Sequence, residues 1–181
     1  MGVTVKLEGI GEVYKAFENL AVEIGDKTAT SKVLVPAVRE AMKPVLSRAQ
    51  SNAPADTNAL KLSLIVEARR PTKRDRRSKY ITQTDTVIAS VTTASGKKLK
   101  QMSEGKGLLR TRKKLMKLGS SAEQAATFMG FKSDARAMSQ EFGSSRNPAH
   151  PYLRPALESM AQETINTVGK VVGRRIEEFK R

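Results

Sequence analysis

The chain reads as an α+β domain: a small, mainly antiparallel sheet packed against helices, with a kinked second helix and a long C-terminal helix. Three observations predict it. Short alternating β-branched segments follow one another, without the interleaved helices of a doubly wound parallel sheet. Apolar residues spaced by three and four mark helices towards both ends of the chain. Pro44 falls inside the second helix, where its ring and missing N–H must kink or split it.

In chain order, Val3, Val5 and Leu7 alternate with polar residues and predict a strand over 3–7. Ile10, Val13, Tyr14, Phe17 and Leu20 define one face of a first helix. A second helix is expected over 31–51, capped by Thr30 or Ser31, with Leu34, Val38, Met42, Val45 and Ala49 on one stripe. Pro36 fits its first turn, and Pro54 closes it.

Leu60, Leu62, Leu64 and Val66 predict a strand over 60–66. Val87, Ala89 and Val91 predict another over 84–93, so the two should form a hairpin with a long basic connection. Gly96, Gly105 and Gly107 argue for a loop, followed by a basic helix carrying Leu108, Leu109, Leu115, Met116 and Leu118. Gly119 ends it. Residues 127–132 read as a third core strand, 135–142 as a short helical turn and 143–151 as a loop. The last helix is expected over 154–179, with Pro155 in its first turn and an apolar stripe from Leu157 to Phe179.

Charge is the dominant compositional signal. The 181 residues carry 33 Lys and Arg against 18 Asp and Glu, a formal net charge of +15. The surplus is local: residues 69–117 hold 16 basic side chains against Asp75, Asp85 and Glu104, so the other 132 residues are close to neutral. A merely solvated face mixes signs more evenly. The residues expected to face a polyanion, DNA or an acidic partner, are Arg69, Arg70, Lys73, Arg74, Arg76, Arg77 and Lys79. With them go Lys97, Lys98, Lys100, Arg110, Arg112, Lys113, Lys114 and Lys117. Only Tyr80 supplies an aromatic ring beside them, so phosphate contact is expected and base stacking is not.

Catalysis and metal binding find little support, and a nuclease with a carboxylate-only metal site is the enzyme class the sequence leaves open. The absence of cysteine excludes disulfides and thiolate metal sites. His150, the single histidine, lies in a loop between Ala149 and Pro151. No Ser-His-Asp set, phosphate-binding loop or dinucleotide fingerprint occurs. The Glu177–Glu178 pair reads as a solvated helix face. The expectation is a protein that is not an enzyme and holds no cofactor. No apolar run of about 18 residues is present to span a membrane, and the segment MGVTVKLEG lacks the apolar core of a signal peptide.

Two segments carry a family pattern. One is Asn52-Ala-Pro54-Ala-Asp-Thr57-Asn58-Ala-Leu60-Lys61-Leu-Ser63-Leu64. The other is Ser139-Gln-Glu141-Phe142-Gly143-Ser144, followed by Pro148-Ala-His-Pro151-Tyr152-Leu153-Arg154-Pro155-Ala156-Leu157. Together, and in this order, they resemble the head–tail joining, or tail-completion, proteins of long-tailed bacteriophages; the opening Val3–Ile10 also looks similar. Asn58 stands where that family usually has Gly, and Asn tolerates the left-handed backbone a turn needs there. Ser144 replaces the usual Thr. Relative to shorter members, residues 94–124 look like a basic insertion in a single domain spanning 1–181.

The resemblance implies a virion structural protein in the tail or neck, made in the host cytoplasm. It would form a ring or multimer around the DNA path and contact neighbouring neck and tail proteins, itself, and genomic DNA through phosphates. A general sequence-independent nucleic-acid-binding protein is the other expectation. The motif residues also have a physical reading: Pro54 stops a helix, Asn58 makes a turn, and Leu60 opens a strand. Gly143 lets the chain reverse after Phe142 buries, and Pro151 and Pro155 shape the start of the last helix. Leu153 and Leu157 anchor that helix, and Glu141 pairs with Arg154.

Overall fold

The computed structural model describes residues 10–54, 58–131 and 135–180, with side chains from residue 11 and, in the last segment, from residue 137. The strand expected over 3–7 lies outside the described residues. Helix α1 is Ile10–Ile24. A short α2, Asp26–Ala29, runs through a π-helical turn, Thr30–Leu34, into α3, Val35–Ala41. Helix α4 is Lys43–Asn52.

Pro44 splits the second helix. Met42 ends α3 with ψ near −3°, and its N–H still reaches the Val38 carbonyl at 3.0 Å. The proline then falls in the first turn of α4, where it lacks no needed hydrogen bond. The helical run also begins earlier than Ser31. Thr30 is buried within it, its hydroxyl turned back to Asp26 Oδ1 at 3.4 Å, so neither Thr30 nor Ser31 caps it.

After Pro54, Asn58 takes a left-handed conformation (φ 53°) and starts α5, Ala59–Ser63. Strands β1, Leu64–Arg69, and β2, Ile88–Thr93, pair as a two-stranded antiparallel sheet. The strand expected from residue 60 thus begins at Leu64. Before that, the Leu62 N–H bonds the Asn58 carbonyl four residues back, which is helical pairing.

Helices α6, Gly96–Ser103, α7, Gly105–Lys117, and α8, Ala122–Thr127, follow. Helix α6 replaces the loop expected after Gly96, because Leu99 is buried and holds that turn in place. No third strand forms among residues 127–131. Two of their backbone groups pair with side chains instead of a ladder: the Phe131 N–H donates to Ser103 Oγ at 2.9 Å, and the Phe128 carbonyl accepts from the Arg112 guanidinium at 3.0 and 3.2 Å. Lys132 lies outside the described residues. Helix α9 is Ala135–Phe142, and α10 is Leu153–Lys180, 28 residues long.

These elements form two compact units. One takes the described residues up to Pro44, with Val66–Ser90 and residues from Met160 on; the other takes Val45–Ile65 and Val91–Ser159. In the first, Leu20, Val33, Ala37, Val171, Val172 and Ile176 make the core, with Val13 and Phe17 packed on it. Each large side chain there is worth about 1.5–3 kcal/mol of transfer free energy. In the second, Ala49, Ala53, Leu64, Tyr152 and Ala156 make the core. Residues 94–124 belong to that unit, and bury Leu99, Thr111 and Leu115 within it. No described helix is long and apolar enough to cross a membrane.

Candidate polyanion-binding surfaces

The segment 139–157 builds a closed joint. Helix α9 ends with the Gly143 N–H on the Ser139 carbonyl, and the His150 N–H donates to the Gln140 carbonyl at 2.7 Å. Gly143 needs its positive φ of 79°, and a Cβ there would press on the Ala149 nitrogen at 3.0 Å. The joint brings Glu141 beneath the start of α10. Glu141 is 1 % exposed, and its carboxylate accepts the N–H groups of Tyr152, Leu153 and Arg154 at 2.8, 2.9 and 3.2 Å. They lie at the first turn of the helix, whose N–H groups have no carbonyl of the helix to bond, and where the positive end of the macrodipole favours an anion.

Arg154 adds a guanidinium contact at 3.1 Å. The sequence-based pairing of Glu141 with Arg154 is therefore present. Burial alone would raise the Glu141 carboxyl pKa. The hydrogen bonds from Leu153 and Tyr152, then from Arg154, outweigh burial and hold it below the usual carboxylate range.

Two expectations for this segment are corrected. Phe142 is 62 % exposed and lies against the Arg154 guanidinium, 5.5 Å from ring centroid to Cζ. Leu157 is also exposed. The anchors are Tyr152 and Ala156, both fully buried, with Leu153 half-buried beside them. Both residues after Pro151 pack on that core, and the small Ala156 lets α10 approach it. Among the remaining motif residues, Pro54 follows the end of α4 and Leu60 packs on the second core. Asn58 Nδ2 donates to Ser120 Oγ at 3.0 Å, and Pro155 lies in the first turn of α10.

The basic residues divide by role. In the connection between β1 and β2, Arg69 grips Asp75 with two nitrogens, and Asp75 also accepts from the Thr72 N–H and hydroxyl. The Arg69 bond first, then Thr72, hold the Asp75 carboxyl far below its ordinary range. Arg76 donates to the carbonyls of Thr82 and Asp85, and Arg70 pairs with Asp26 at 3.5 Å. These three arginines shape the connection. Lys73, Arg74, Arg77 and Lys79 are exposed on it, and Lys79 lies over the ring of the exposed Tyr80.

In the second unit Arg112 is structural, its guanidinium holding the Phe128 carbonyl, and Lys100 approaches Glu104 at 3.9 Å. Lys97 and Lys98 are exposed on α6. Helix α7 places Lys106, Arg110, Lys113, Lys114 and Lys117 on its exposed face. Five cations over about 16 Å of helix come close to the phosphate spacing along one nucleic-acid strand, roughly 3.4 Å.

Lys106 was not among the residues singled out from sequence. The signal was available: it starts the three- and four-residue spacing that runs through Arg110 and Lys113 to Lys117. The buried stripe of α7 is not the set of apolar residues the helix carries. Thr111 is buried, its hydroxyl donating to the Met102 carbonyl at 2.9 Å, whereas Leu109 and Met116 are exposed. Leu108, Thr111 and Leu115 satisfy the helical period, with threonine in the place where a search for apolar residues passes over it.

Among the described residues no three His, Asp or Glu side chains come together as a metal site. No protein-family model matches the chain, and no curated protein or solved structure matches it.

Proposed function

We propose that this chain is a virion structural protein of a tailed bacteriophage. It completes the tail end or neck and enables head–tail joining, assembling as a ring or multimer around the DNA path. The observation that carries the reading is the ordered pair of motifs at 52–64 and 139–157. The geometry supports it in one respect: the second motif folds into a backbone joint, with the Glu141 carboxylate capping α10 and the His150 main-chain N–H on the Gln140 carbonyl. That is the use expected of residues whose role is shape. Electron microscopy of particles assembled without this protein tests it: filled heads separated from tails are expected, and joined infectious particles would overturn it.

A second reading, sequence-independent nucleic-acid binding, draws on the exposed cations of α7 and of the β1–β2 connection. It expects the isolated protein to bind duplex DNA with an affinity that falls by nearly one log unit per tenfold salt for each phosphate neutralised. Binding indifferent to salt would end that reading.

A further inference from the structure

Two features are left without a role by the proposed function. One is the exposed side of α1 in the first unit. Tyr14, Glu18 and Val22 fall on one line at spacings of four; Tyr14 is 61 % and Val22 88 % exposed. Tyr14 and Glu18 also border an apolar cavity of about 340 Å³, floored by Phe17, Val168 and Val172. The helix carries Glu12, Glu18 and Glu23 against Lys15 alone.

The other is the exposed side of α7 in the second unit. Leu109, Lys113 and Met116 fall on one line at spacings of four and three; Leu109 is 59 % and Met116 51 % exposed. Lys106, Arg110 and Lys117 flank that line, and α7 contains no acidic residue. Phosphate contact explains the cations and leaves the leucine and methionine unexplained.

The two lines match. Each reads apolar, charged, apolar, with a carboxylate central in one and an ammonium central in the other. Tyr14 and Val22 are about 12 Å apart along α1, and Leu109 and Met116 about 10.5 Å apart along α7. The cavity beside Tyr14 gives a long flexible apolar side chain such as Met116 somewhere to enter. Opposed potentials with apolar anchors between them are what steer and hold a specific contact.

We propose that α7 of one copy packs on α1 of the next, with Lys113 against Glu18 and with Leu109 and Met116 against Tyr14, Val22 and the cavity. The contact is head-to-tail: each copy offers both surfaces, so successive copies join through the same interface and a closed ring results when the rotation permits. It rests on the multimeric part of the proposed function and names the surfaces that part leaves open.

Charge reversal with sedimentation tests it on the full chain. The unaltered protein is expected to sediment as a multimer, and Lys113→Glu and Glu18→Lys alone each to weaken association at least about tenfold. An equimolar mixture of the two variants should recover the multimer, because an intact pair and a doubly reversed pair then alternate around the assembly. Recovery also shows that each variant is folded. A multimer untouched by either reversal overturns the contact and leaves the ring reading standing. A monomer at every concentration overturns the contact in the free protein, and the separate particle-joining experiment still decides the phage reading. Duplex binding lost in Lys113→Glu with an unchanged multimer assigns the α7 face to nucleic acid, and overturns the proposal.

Discussion

The carboxylate of Glu141 accepts the backbone N–H of Tyr152 at 2.8 Å, eleven residues further along the chain and under the first turn of the longest helix. A glutamate contributed from another helix thus caps α10, and the tyrosine it holds is itself fully buried in the second core. Local capping by Ser, Thr, Asp or Asn at the helix's own N-cap is the common solution. Here Pro151 precedes the helix, and the cap comes from α9.

That arrangement predicts an uneven double-mutant cycle. Glu141→Ala strands three backbone donors and is expected to cost about 3 kcal/mol. Arg154→Ala removes one largely exposed partner and should cost under about 1 kcal/mol. The two losses should fall short of additive by a few tenths of a kcal/mol or more, since Arg154 has less to bind once Glu141 is gone. Urea unfolding of the four proteins measures this, and strict additivity would contradict the pairing.

The same carboxylate predicts a pH dependence. Its folded-state pKa is lowered, so its stabilisation is complete above the unfolded carboxyl range and is lost as pH falls through the folded value. At neutral pH, Glu141→Gln should be less stable than the parent. The gap should narrow as pH drops below about 4, because the parent's own carboxyl is then protonated. Unfolding midpoints of both proteins between neutral and acid pH give the comparison; a gap that widens in acid has the wrong sign.

Neighbouring basic residues on α7 should behave differently. Arg112→Ala removes both hydrogen bonds to the Phe128 carbonyl and is expected to destabilise by about 1–2 kcal/mol. Lys114→Ala, on the exposed face and outside the proposed contact, should leave the unfolding midpoint unchanged. Equal thermal shifts in the two variants would show that the division into structural and surface cations is misdrawn.

Gly107 predicts a steric effect. A Cβ built on it would run into the Gln101 carbonyl oxygen, a backbone atom of α6 that cannot step aside alone. Gly107→Ala should therefore cost about 1–3 kcal/mol by forcing the two helices apart, although alanine is the better helix former. A more stable alanine variant, read by thermal unfolding, would mean that the α6–α7 approach is looser than described.

The legible parts of this fold are those set within a few residues of chain. The stop at Pro54, the left-handed Asn58, the split at Pro44 and the long period of α10 each follow from backbone sterics or helical spacing. The α+β class and the β1–β2 hairpin followed from alternation. The reading failed where a residue's partner is remote. Residues 127–131 look like a strand by composition, yet Arg112 and Ser103 take two of their backbone groups. Phe142 looks like a core residue by hydropathy, yet it stays outside against Arg154.

By itself, then, the sequence determined the α+β class, the split at Pro44 and the stop at Pro54, that the charge surplus lies in residues 69–117, and that Glu141 and Arg154 could meet. Only the tertiary structure decided which of those cations are committed. Arg69, Arg70, Arg76 and Arg112 hold carboxylates or carbonyls of the fold, and Lys73, Arg74, Arg77 and the α7 lysines remain exposed. The reason is physical: an arginine's charge is a property of its side chain, but its availability depends on which acceptors the folded backbone brings within 3 Å or so.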